Sequence, residues 1–143
     1  MRTITGYAGA ADAPQATLTL IFERRVKARQ RLSLDQGQDV LLDLPRGQAL
    51  QDGDKLRTDD GLIVEVRAAD ESLSVARSTD PLMLARACYH LGNRHVALQI
   101  EVDTVSYLAD HVLDAMVRQL GLTVESQHAP FRPETGAYGH HHG

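Results

Sequence analysis

Two hydrophobic periods divide the chain. Over residues 2–69 apolar and polar positions alternate, the period of a half-buried strand. Residues 17–22 place Leu18, Leu20 and Phe22 on one face, residues 29–34 repeat the alternation weakly, residues 40–44 form a short apolar run, and residues 62–67 give the clearest strand of this half. Between them stand turn signals: Asp35-Gln36-Gly37, Pro45-Arg46-Gly47, Asp52-Gly53-Asp54 and Asp59-Asp60-Gly61. Short strands at this spacing predict a small all-β domain over residues 1–70, a sandwich or a barrel.

Near Ala68–Glu71 the pattern changes. The rest reads as a strand (72–77), a helix (81–91), a strand (95–102), a short strand or turn (104–106), a helix (107–120) and a strand (122–126). That is the βαββαβ order of a ferredoxin-like sandwich. It predicts an α+β protein with a second domain over residues 71–138 and a short histidine-containing tail over 139–143. Asp80 caps the first helix and Pro81 takes its first position, where a missing N–H costs nothing. Gly92 and Gly121 are the expected helix stops. On the second helix Leu108, Val112, Met116 and Leu120 share one side. Asp110, His111, Asp114 and Arg118 collect on the other, so His111 is expected to face solvent.

Composition narrows the function classes. With 43% hydrophobic residues but only 4% aromatics and no tryptophan, the core must be aliphatic. A net charge of −4 and a pI near 5.9 argue against nucleic acid as a main partner, because phosphate neutralisation needs a basic surface. The single cysteine, Cys88, permits no intrachain disulfide and fits a reducing compartment. No apolar run approaches the roughly 18 residues of a membrane span, and no apolar signal core follows Arg2, so a cytoplasmic location is expected.

The candidate chemistry centres on Tyr-His-Leu-Gly-Asn-Arg-His, residues 89–95. On spacing alone His90 and His95 fit either metal ligands beside a tight turn or a plain helix-to-strand connector. His111 beside carboxylates is open to the same two readings. The run His140, His141, His142 is a compositional metal signal or a tag, and His128 reads as simply exposed. His90 lies near the edge of the apolar face and reads as structural, bonding a backbone carbonyl. Cys88 shares helical spacing with Leu84 and Leu91 and reads as a buried thiol, not a nucleophile. The acidic turns lack the calcium-loop pattern and read as hairpin turns. The basic run Arg24, Arg25, Lys27, Arg29 and Arg31 is a solvated face or a surface for an acidic partner. No Gly-Lys-Ser/Thr phosphate loop is present, so the chain is not itself a GTPase.

The string at 89–95 resembles the signature of the UreE family, urease accessory proteins that carry nickel. Asp110-His111-Val112-Leu113-Asp114, Arg118-Gln119-Leu120-Gly121-Leu122-Thr123-Val124, Pro130-Phe131, Gly136-Ala137-Tyr138, Asp80-Pro81 and Leu44-Pro45-Arg46-Gly47 are similar to that family as well. The likeness covers nearly the whole chain and is strongest in its second half.

The resemblance implies a homodimer in which His95 and its symmetry mate form the primary metal site. It implies a peripheral site at His111, although relatives often carry a second histidine where this chain has Ala109. It also implies added, readily released ligands from His140, His141 and His142, with His90 and Asp110 structural or supporting. The implied cargo is Ni(II), with Zn(II) or Cu(II) able to compete in vitro. The implied partners are the urease apoprotein and its accessory complex, including the urease GTPase. The expected function is that of a nickel metallochaperone, not an enzyme, which donates Ni(II) to apo-urease. The alternative is a cytosolic store for nickel, zinc or copper with no dedicated client.

Overall fold

The computed structural model describes residues 1–135. Within it residues Met1–Ala69 form one compact unit and Asp70–Glu134 a second. Each is built around its own aliphatic core.

The first unit is a six-stranded sheet with a short helix. Its elements are β1 (Arg2–Tyr7), β2 (Ala16–Leu20), α1 (Phe22–Arg25), β3 (Arg29–Ser33), β4 (Asp39–Asp43), β5 (Lys55–Thr58) and β6 (Ile63–Ala68). The strand order is β2-β6-β5-β1-β4-β3, with β1/β4 and β2/β6 parallel and the other pairs antiparallel. The alternation in the sequence becomes an alternation of burial: Leu18, Val40, Leu42, Leu56, Val64 and Val66 all face one core.

The sheet curls so that β2 approaches the β3–β4 turn. There the Asp35 N–H donates to the Thr17 carbonyl at 2.9 Å, and the Asp35 carboxylate accepts from the Thr17 and Thr19 hydroxyls at 2.6 and 2.7 Å. The expected strand over 17–22 stops at Leu20, and Phe22 opens α1 instead of extending the β2 face. The acidic turns are turns: Gly53 and Gly61 both have φ near +90°, and Asp52 and Asp54 accept backbone N–H groups from Ala68 and Gln51.

The second unit holds β7 (Asp70–Arg77), α2 (Pro81–Asn93), β8 (Gln99–Ile100), β9 (Thr104–Leu108), α3 (His111–Gln119) and β10 (Thr123–Pro130). Its sheet order is β10-β7-β9-β8, antiparallel throughout. This is the split βαβ arrangement of a ferredoxin-like fold. Leu84, Ala87 and Leu91 of α2, and Leu113 and Val117 of α3, close the core against Ala76, Val105 and Tyr107.

Several boundaries differ from the periodic reading. Tyr107 and Leu108 belong to β9, not to the second helix. Tyr107 is fully buried, and its hydroxyl donates to Asp114 Oδ1 at 2.8 Å. The helix starts only at His111, because Asp110 caps it by accepting from the Val112 and Leu113 N–H groups at 2.8 and 3.1 Å. The buried face of α3 is therefore Leu113 and Val117, while Val112, expected inside, is 64% exposed. The strand expected over 95–102 shrinks to Gln99–Ile100, and Val102 is 98% exposed. No helix among the described residues is long and apolar enough to cross a membrane.

Candidate metal centre

The end of α2 sets the site. Its start follows the sequence: the Asp80 side chain accepts from the Leu82 N–H at 3.0 Å and Pro81 leads the first turn. Its end does not. Gly92 stays inside the helix, which runs on to Asn93, and it is not among the residues of positive φ.

The residue that takes the left-handed conformation is His95, with φ of 58°, the one non-glycine residue to do so among the described residues. The His95 N–H donates to the Gly92 carbonyl at 3.0 Å, and the Val96 N–H donates to the Leu91 carbonyl at 3.4 Å. Those two bonds define a Schellman motif with His95 at the position just past the cap. The apolar contact that accompanies such a motif is supplied by Val96 against the core that holds Leu91. Glycine is the residue that fits this position without steric cost.

An imidazole at that point stands outside the helix on a backbone held by two hydrogen bonds, and it is exposed. The structure therefore presents His95 on a defined platform at a place where local stability alone favours glycine. A strained position of this kind is the observation from which a functional role is inferred.

The other histidines are placed differently. His90 lies in the last turn of α2, exposed, with its ring edge-on to Tyr89 at a centroid distance of 5.3 Å. Among the described residues the expected bond from His90 to a backbone carbonyl is not formed, and the residue is exposed. His111 is exposed, as its expected face requires, and is the first residue of α3. The carboxylates beside it are engaged: Asp110 Oδ1 in the helix cap, Asp114 Oδ1 with Tyr107. Asp110 thus has a structural role that its neighbours explain. His128 is exposed on β10. His140, His141, His142 and Tyr138 lie outside the described residues. Among the described residues no three His, Cys, Asp or Glu side chains gather into a metal-binding group.

Cys88 packs against the core of the second unit, and burial pushes its thiol above the ordinary value, away from nucleophile chemistry. Phe131 is fully buried. Beyond it the chain runs beside β8: the Arg132 N–H donates to Gln99 Oε1 at 2.8 Å and the Glu134 N–H to the Leu98 carbonyl at 2.7 Å. Sequence reasoning did not find this return. No periodic signal marks it, because it is one pair of contacts and not a strand.

A curled β-sheet unit, followed by a ferredoxin-like unit that displays an exposed histidine at a helix end, defines the class as a two-unit α+β protein. The relatives make the class specific. Residues 1–69 match the model of the UreE urease accessory protein, N-terminal domain, and residues 71–143 that of the C-terminal domain. The chain is 55% identical over 139 residues to the urease accessory protein UreE of Alkalilimnicola ehrlichii, covering 97% of this chain and 85% of that protein. It is 54% identical over 137 residues to that of Citrobacter koseri, covering 92% and 90%. It is 49% identical over 128 residues to that of Proteus mirabilis, covering 90% and 80%. The chain belongs to the UreE family.

Proposed function

We propose that the protein serves urease maturation as a nickel carrier, with His95 and the His95 of a second copy holding Ni(II) between them, and that it donates the ion to apo-urease. The observation that carries this reading is the left-handed His95 at the end of α2. Family membership supports the role in urease maturation, since the relatives are named urease accessory proteins.

The chemistry of a carrier fits such a residue. Neutral imidazole suits Ni(II), and also Zn(II) and Cu(II), so nickel selectivity has to come from supply and geometry. One exposed imidazole cannot hold an ion alone. A two-fold axis brings the same residue from two chains to one point. The outer face of α2 favours such a pairing: Leu82 and Tyr89, seven residues apart and so on the same side, are 57% and 66% exposed on the helix that leads to His95.

The histidines His140, His141 and His142 are proposed as further, readily exchanged ligands, which suits transfer by ligand exchange. His111 is a separate, weaker ligand. The partners in this reading are the urease apoprotein and the urease GTPase, in the cytoplasm, and the protein itself catalyses no reaction.

The test is an activation assay. The nickel-loaded protein is mixed with apo-urease and its accessory proteins in the presence of a chelator that removes free nickel. Urease activity is expected with the wild type and not with His95→Ala. Equal activation by the two proteins would refute the role of His95.

A further inference from the structure

The helix that leads to His95 carries no carboxylate. Its ionisable side chains are Arg86, Cys88, Tyr89 and His90, and Arg94 follows as its cap. Arg86, His90 and Arg94 recur every fourth residue, so they share one stripe of α2, and all three are exposed. Two of them are fixed cations in a chain of net charge −4. Arg77, in the same unit, is ion-paired with Asp103 at 3.0 Å. Among the described residues neither Arg86 nor Arg94 forms an ion pair.

Arg94 stands next to His95 in the chain, and its side chain is held in place. Its Nη1 donates to the Met116 Sδ of α3 at 3.6 Å. A thioether is a weak acceptor and leaves the guanidinium charge uncompensated. The carboxylates at the two helices are engaged elsewhere. Asp80 caps the far end of α2 and Asp110 caps α3. Asp114, two residues from Met116, accepts at Oδ1 from the fully buried Tyr107. Glu134 reaches this part of the unit through its main chain, with its N–H on the Leu98 carbonyl, and Arg132 precedes it by two residues. A helix C-terminus by itself carries about half a negative charge and attracts a cation. Arg94, at the cap of α2, opposes that attraction. Cations near helix ends commonly serve helix stability alone, by bonding the last carbonyls. The guanidinium of Arg94 turns to α3 instead.

We propose that Arg94 is an electrostatic counterweight to the metal site: its charge, present twice where two copies meet at His95, weakens the hold on Ni(II) and speeds release. The inference rests on the shared His95 site proposed above. Two neutral imidazoles supply the binding, and the two guanidinium groups repel the dication they hold. Consecutive Cα atoms lie about 3.8 Å apart, so each guanidinium stays within roughly 15 Å of the neighbouring imidazole. Charges act over that range at low ionic strength.

The test is nickel calorimetry on the full-length protein at an ionic strength of about 0.01 M, where the screening length is roughly 30 Å, and again near 1 M, where it is about 3 Å. Release is followed by stopped flow into a chromophoric chelator. At low salt Arg94→Gln is expected to bind nickel roughly three- to tenfold more tightly than the wild type, and to release it more slowly. Arg94→Lys keeps the charge and is expected to match the wild type. At high salt the gap should close. Should Arg94→Gln fail to fold, Arg94→Met, which keeps an apolar stem against Met116, takes its place with the same expectations. Equal or weaker binding by the uncharged variant at low salt overturns the proposal. So does a gap that high salt leaves intact, or an Arg94→Lys that behaves like Arg94→Gln, since Arg94 would then act through structure alone. His95→Gly, run alongside, separates the two readings. Nickel retained there removes the shared site and this inference with it, whereas nickel lost there with the affinity of Arg94→Gln unchanged removes the inference alone.

Discussion

A residue with a Cβ in the left-handed region carries a steric cost of roughly 1–2 kcal/mol, and at His95 two backbone bonds and the packing of Val96 hold it there. Replacing His95 with glycine should therefore stabilise the second unit by about 1 kcal/mol while abolishing tight nickel binding. Hydrogen exchange within α2, read beside a nickel titration, checks both halves. A glycine variant less stable than the wild type would remove the argument from strain. His95→Ala loses the imidazole but keeps the cost, so it separates ligand loss from backbone relief.

Asp35 offers a second test at this scale. Burial alone would raise its carboxyl, but hydrogen bonds from Thr17 and Thr19 outweigh that, and its value falls below the ordinary 3.8. A depressed carboxylate contributes stability above its unfolded value and loses it as pH drops through the folded one. Asp35→Asn should cost the first unit about 1 kcal/mol at neutral pH, and the difference from the wild type should shrink below about pH 4. Chemical denaturation at several pH values measures this. A difference that does not change with pH would assign the effect to packing instead of charge.

Elements were legible where local chemistry marks their ends. Asp80 and Pro81 set the start of α2, and the paired turns around Gly53 and Gly61 set strand ends in the first unit. The βαββαβ order followed from such marks and gave the fold class. The failures have physical causes. Tyr107 and Leu108 continue an apolar stripe at helical spacing, yet they lie in β9 between β7 and β8, where the sheet buries Tyr107 entirely. Periodicity cannot separate these readings over so short a run.

Gly92 looked like a helix stop because glycine commonly is one, but the Schellman pair falls three residues later, on His95. The key histidine was therefore readable as a residue, and its conformation was not. At this scale Asp110→Ala should cost about 1 kcal/mol, the loss of a helix cap, with nickel stoichiometry unchanged. Thermal denaturation and titration of the same sample test it. Tyr107→Phe should also destabilise the second unit by about 1 kcal/mol or more, since it removes the donor to Asp114.

At the scale of the whole molecule the proposed metal site depends on the pairing of two copies of the chain. On the outer face of α2 the exposed Leu82 and Tyr89 lead to His95, and this is the face on which we propose that a second copy completes the site. A site completed by symmetry opens when the dimer or its outer ligands give way, and that behaviour separates a carrier from a store. On the proposed reading a chain ending at Gly139, which lacks His140, His141 and His142, should still bind nickel between its two copies, only less tightly.

The central claim is that the ion sits between two copies of His95. The most direct measurement is calorimetric titration of nickel into the wild type and into His95→Gly, with the mass of each followed by light scattering. About one tight nickel ion per two chains is expected for the wild type. In His95→Gly that ion should be lost, with the variant folded and still paired. Wild-type affinity and stoichiometry in His95→Gly would contradict it and move the metal to other residues.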